Sequence, residues 1–377
     1  MTRFWLGGYG PEMDGAADGI GLLAGDEGRE ATTLGYRGVA ARASSPSWLA
    51  QHPSLDVVYA ALEHSGAVQA FVRTGEEKLK PLGEAIPVGE AVCHIAVAPN
   101  GSSLVASCYG DGRVVRFGID ADGRIVRAKA DAAAALRAAL FGDESYDEET
   151  GDGAGDGVSD APKPGVGVAA SDPYSLPDRA SHAHSAVFLA DGRIATTDLG
   201  FDLVRIWRPS ATGLTLDHEV VLPLGVGPRH MVAHPSGHLH VVTEYSCEVF
   251  TLAAAPDGTW GVVSSILSSP IAEVGFDFPA ELARTRDGAF LYTALRGSNT
   301  IAALRVRAGG EQLESIALAD SGVDWPRHHL VFEGKLVVAG QRSDTISLID
   351  LDDRTGAPLG IRHRAPAPTP THILPRR

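Results

Sequence analysis

Short apolar runs with period-two alternation recur along this chain, paired across Pro/Asp/Gly turns, and that pattern predicts β-hairpins. The clearest copies start at His184 (HSAVFLADGRIATTDLG) and at Arg229 (RHMVAHPSGHLHVVTE). The same grammar begins at Cys93 (CHIAVAPNGSSLVASCYG), at Ala280 (AELARTRDGAFLYTALRG) and at Arg327 (RHHLVFEGKLVVAGQR), and more loosely at Ser47 (SWLAQHPSLDVVYAALEH). A third short run follows each hairpin, such as the one from Arg113 to Phe117 or from Thr300 to Leu304. Most neighbouring copies lie about 45 residues apart, the spacing of propeller blades rather than of ankyrin or leucine-rich repeats.

Six copies leave the two ends over. Phe4-Trp5-Leu6-Gly7 and Gly19-Ile20-Gly21-Leu22-Leu23 read as a second and third strand without a first, and Thr371-His372-Ile373-Leu374-Pro375 reads as a first strand without the rest. Together they make a seventh blade. The expected fold is therefore all-β, one domain over residues 1–377: a seven-bladed β-propeller closed by pairing its N- and C-terminal strands, which hides edges an open sheet would expose. An open β-solenoid would need capping repeats, and none is evident. The rhythm breaks once, in an acidic, Gly-rich insertion placed at 122–178. Its Ala-rich part, Asp131 to Leu140, suggests a short helix, and Gly142 to Gly167 is expected to be mobile. Asp152, Asp156 and Asp160 lack the spacing of a calcium loop.

Composition narrows the function classes. A net charge of -15 disfavours nucleic acid and anionic membranes as partners, and no apolar run is long enough to span a bilayer. Three scattered cysteines, Cys93, Cys108 and Cys247, speak against a disulfide framework. With no secretory pattern at Met1 to Leu6, a cytoplasmic location is expected.

In a propeller the start of each first strand and the end of each second strand share one rim of the channel. Here the repeat departs from its apolar rule at those places. First strands begin at His94, His184, Arg229-His230, Glu281 and Arg327-His328; second strands end at Glu63-His64, Tyr109, Asp198, Glu244, Arg296 and Gln341-Arg342. Asp198 and Glu281 can equally serve as structural acceptors. His52, His234, His238 and His240 read as surface or core histidines. His184, Arg229, Glu244 and Arg296 stand out, because four ionisable groups on one rim are costly unless paired or used. A cationic spot on an anionic body suits a small anion held by arginine forks. No triad order, nucleophile elbow, phosphate loop or zinc pattern is present, and His182-x-His184 lacks a third ligand, so no metal or other cofactor is expected.

The segments from Ser181 to Trp207, Gly225 to Glu244, Ala280 to Ile301 and Asp324 to Ile346 resemble the lactonase family of seven-bladed propellers. That family includes propeller-type 6-phosphogluconolactonases and carboxy-cis,cis-muconate lactonizing enzymes. The resemblance implies a catalytic set of His184, Arg229, Glu244 and Arg296; His94, Tyr109, His182, His230, Arg327 and His328, around the same rim, are expected as substrate-binding neighbours. It implies metal-independent hydrolysis of a small anionic lactone such as 6-phosphogluconolactone, with Glu244 or His184 as general base. Lactonisation of an unsaturated dicarboxylate, or a non-catalytic propeller binding a small ligand or a protein, are the alternatives. Thr243, Leu295 and Cys108 depart from the family's usual asparagines, which leaves the substrate open.

Overall fold

The computed structural model describes residues 2–25, 33–127, 172–211 and 213–376. Seven small antiparallel sheets form the blades. Blade 1 takes its inner strand from the C-terminus, Pro370–Pro375, and its other strands from Arg3–Gly8, Gly19–Gly25 and Leu34–Arg42. Leu6 pairs with Ile373 and Trp5 with Leu374, so the two ends of the chain close the ring. The inner strands of blades 2 to 7 are Pro46–Gln51, Val92–Val97, Ala183–Phe188, Pro228–Ala233, Phe278–Arg284 and Pro326–Phe332. Each is followed by its own second strand, and successive inner strands lie side by side around the channel.

Apolar faces of neighbouring blades pack on each other and make the core. Between blades 4 and 5, for example, Val204, Ile206 and Leu222 meet Met231, Val241, Phe250 and Trp260, all buried. Period-two alternation places such residues on the sheet faces and leaves the channel-facing ends of the strands for polar groups. The cysteines are buried and unpaired.

Ile125–Val126 completes blade 3 as its outer strand, so the blade runs past the expected start of the insertion at 122. On the far side, Asp172 accepts from the Arg179 guanidinium and Tyr174 donates to the Leu222 carbonyl, which ties the chain down before blade 4. The expected helix at 131–140 and the segment 142–167 lie outside the described residues.

Candidate active site

Every blade carries the same irregularity at the same place. Where the inner strand leaves the mouth of the channel, one extra residue is inserted against the second strand. In blade 5, for instance, Pro228 pairs with Thr243 and His230 with Val242, leaving Arg229 unpaired. Such a bulge lets two consecutive side chains turn towards the channel instead of one. The residues at this position include Ser47, Cys93, His184, Arg229, Arg327 and Thr371, which line a cleft at the mouth. The cleft narrows to about 10 Å³, room for one water.

Arg229 of this cleft also belongs to a clamp. Glu244, the residue after the second strand of blade 5, places Oε2 2.9 Å from Arg229 Nε and 2.8 Å from Arg296 Nη2. Each arginine is also anchored to backbone by another of its nitrogens. Arg229 Nη1 donates to the Ala280 carbonyl at 2.5 Å, and Arg296 Nε to the Phe278 carbonyl at 2.8 Å. Both arginines are buried, while the glutamate is about one-fifth exposed. Burial works against a charged Glu244, but Arg296 and Arg229 outweigh it and hold the carboxyl below its usual range. Burial, then the repulsion of Arg229, lowers Arg296 to about 10, still cationic at neutral pH.

His184 lines the cleft beside Arg229, and its Nδ1 has no hydrogen-bond partner among the described residues. Burial, reinforced by Arg229, holds the imidazole well below its ordinary value, so it is neutral with a lone pair to offer. His182 is engaged differently: its Nδ1 lies 2.6 Å from the Tyr109 carbonyl and its ring stacks on Tyr109 at 4.5 Å. The Tyr109 hydroxyl lies beside that of Tyr245, with Glu244 close by. Arg327 lies over the Tyr9 ring, 5.0 Å from its centre, and donates to Gln341 Oε1 at 3.2 Å; Tyr9 donates to Glu63. Burial opposes the charge on Arg327, but Tyr9 and Glu63 beside it raise its pKa.

The other three expected contacts, His94, His230 and His328, sit one layer deeper. They surround the Trp48 indole, which lies 4.3 Å from His94, 5.5 Å from His230 and His328, and 4.0 Å from His372. Each of the three accepts at Nδ1 from a backbone amide of the next blade: Ala186 to His94, Leu282 to His230 and Ile373 to His328. They therefore stitch blades together. Glu281 joins them, with Oε1 3.2 Å from His230 Nδ1. Asp198 is also structural; it accepts from the amides of His182, Gly200 and Phe201 and from Arg205.

Several neighbours had no marker in the repeat pattern. Trp325 lies in the loop entering blade 7, with the guanidinium of Arg296 5.3 Å from its ring centre. Tyr245 is exposed just beyond Glu244. Trp48 occupies the place where other blades carry histidine, an aromatic residue in an apolar run that pattern alone assigns to the core. Larger surface grooves exist, one of about 390 Å³ beside Arg193 and Asp217, but an ion-pair network there already neutralises its own charges.

The family model described as "Lactonase, 7-bladed beta-propeller" matches residues 3–144 and 152–375. The chain belongs to this family. Among curated proteins it is 24% identical to a 6-phosphogluconolactonase of Bacillus subtilis over 365 residues, 94% of this chain and 93% of that protein. It is 30% identical to an uncharacterized Lactococcus lactis protein, YwcC, over 53% of this chain and 60% of that one. Among solved structures, the periplasmic gluconolactonase PpgL of Pseudomonas aeruginosa superposes with a TM-score of 0.81 at 20% identity, covering 100% of this chain and 99% of that one. At that identity the likeness speaks for the fold.

Proposed function

We propose that the protein hydrolyses a small anionic lactone without a metal, with 6-phosphogluconolactone as the substrate. The observation that carries this reading is the Glu244 carboxylate held between two buried arginines, one of which, Arg229, lines the same cleft as a neutral histidine, His184, whose Nδ1 has no partner among the described residues. The Bacillus subtilis relative, similar along nearly its whole length, supports the choice of substrate.

The electrostatics divide the labour. Glu244 is a weak proton acceptor because both arginines favour its charged form; its part is to hold two mutually repelling guanidiniums in place. His184 is the general base. Burial, and after it the field of Arg229, depress the imidazole in the free protein; an anionic substrate offsets the Arg229 part and so raises the basicity of His184. His184 takes a proton from water as the water oxygen bonds to the lactone carbonyl carbon. The carbonyl oxygen becomes an oxyanion facing Arg229 and Arg296. Collapse breaks the ring C–O bond, the protonated His184 returns its proton to the departing alkoxide, and the open hydroxy acid leaves.

The test is turnover of 6-phosphogluconolactone, corrected for spontaneous hydrolysis and measured with and without a chelator. Glu244→Gln and His184→Asn are each expected to lower kcat/KM by about 10²–10³ with unchanged circular dichroism, the scale of losing one preorganised polar group. Chelator is expected to change nothing. Full activity in either variant, or activity lost to the chelator, overturns the assignment.

A further inference from the structure

The clamp is not the end of the cationic surface. Trp325 sits with φ at 59°, a left-handed conformation that a bulky residue rarely takes, and Pro326 follows it. The strain is maintained from two sides. The Trp325 amide donates to Asn299 Oδ1 at 2.9 Å, and its carbonyl accepts from the Gln341 amide at 3.1 Å. Asn299, in the turn of blade 6, also donates to Asp324 at 2.9 Å, so the loops of blades 6 and 7 are clipped together around this one residue. Strain of this kind persists where the surroundings over-determine it, and it gathers at ligand sites.

What the strained residue presents is an indole between two cations. Arg296 of the clamp lies 5.3 Å from the ring centre, and Arg342 stacks on it at 3.5 Å. Arg342 is exposed and makes no ion pair among the described residues, although the protein as a whole is strongly acidic. Its neighbour Gln341 turns inward to Arg327 while Arg342 turns out over the indole. The stack holds the guanidinium flat and leaves its edge, with its row of donors, facing outward.

We propose that Arg342, seated on Trp325, is a second anion subsite that reads the distal phosphate of the substrate. This rests on the lactonase reading and adds which residue selects a phosphorylated lactone over a plain one. The lactone carbonyl lies at Arg229 and Arg296, and the phosphate at the far end of the six-carbon chain reaches Arg342 across the shared indole. A phosphate takes a two-pronged contact from a guanidinium edge, which a lysine cannot copy.

The experiment compares kcat/KM for 6-phosphogluconolactone and for unphosphorylated gluconolactone. The ratio of the two is expected to fall about tenfold in Arg342→Gln, and Arg342→Lys to recover only part of it. Trp325→Gly, which relieves the backbone but removes the platform, is expected to lower the ratio as well, while Trp325→Phe retains most of it. A ratio that moves less than twofold in Arg342→Gln overturns the proposal. If the wild-type protein turns over neither lactone, the lactonase reading fails. The subsite is then judged by calorimetry with 6-phosphogluconate and gluconate. Tighter binding of the phosphorylated acid that Arg342→Gln abolishes upholds the subsite, and equal affinity for the two acids sinks it.

Discussion

Two glutamates on adjacent blades lie near the same arginine and end in opposite states. Glu244 meets Arg229 and Arg296 head-on at the mouth, and their charges overcome its burial. Glu281 lies one layer down among histidines and Trp48, where burial dominates, Arg229 offsets it only in part, and the carboxyl is pushed well above its ordinary range. The same split runs along single strands: Arg229 and Arg327 belong to the charged layer, and His230 and His328, one residue on, to the neutral one. A bulge that turns two consecutive residues into the channel gives each blade one position for chemistry and one for holding the ring together.

The largest break to this arrangement comes from the C-terminal strand, which supplies Thr371 to the upper layer and His372 to the lower. Ending the chain before Pro370 removes the inner strand of blade 1, exposes the edge of Arg3–Gly8 and takes away the amide of Ile373 that His328 holds. Loss of cooperative melting, or aggregation on expression, is expected. A truncated chain that melts within a few degrees of the intact one would show that neither layer depends on closure.

The buried histidines, those of the lower layer together with His240 and His329 within the blades, should dominate the response to acid. Burial lowers His94 and His240 to about 3 and His329 to about 4, against roughly 6.5 in an unfolded chain. Below about pH 6.5 the unfolded state binds protons that the folded state refuses, so stability falls as the pH drops. Once well below that point, these three together contribute about 4 kcal/mol per pH unit until their folded values are reached. Glu281, raised in the fold, runs the other way, but one carboxyl is outweighed by the buried histidines. Glu244, lowered in the fold, adds a loss only below its usual range. Urea midpoints at pH 7.5, 6 and 5 should fall in that order; a flat series contradicts neutral, buried imidazoles.

The fold was legible because each blade repeats its own alternation and turn, and because an orphan strand at one end matches a missing strand at the other. The clamp was legible for a related reason: Arg229, Glu244 and Arg296 break an apolar rule at equivalent places. The difference between Arg229 and His230 was not, since one bulge decides which layer each neighbour enters, and a bulge leaves no mark on the alternation. Trp325 escaped notice because its role comes from a backbone conformation and from two cations on different blades. Trp48 has the residue type of the core and the position of the channel.

The smallest expected effect sharpens the comparison most. If Glu281 is neutral in the fold, Glu281→Gln exchanges one uncharged group for another of nearly the same shape, whereas Glu244→Gln removes a charge that two arginines need. Above about pH 4.5 the unfolded wild-type chain gains by ionising Glu281 and the folded one does not, so the wild type carries a penalty that the variant lacks. The variant is therefore expected to match or exceed wild-type stability at pH 8 if the amide finds the same partners. The gap should close at pH 4, where Glu281 is protonated in both states. Turnover should stay within a few-fold of wild type. A Glu281→Gln protein that is several kcal/mol less stable at pH 8, or as inactive as Glu244→Gln, would mean that Glu281 is ionised and that the two layers share one electrostatic role.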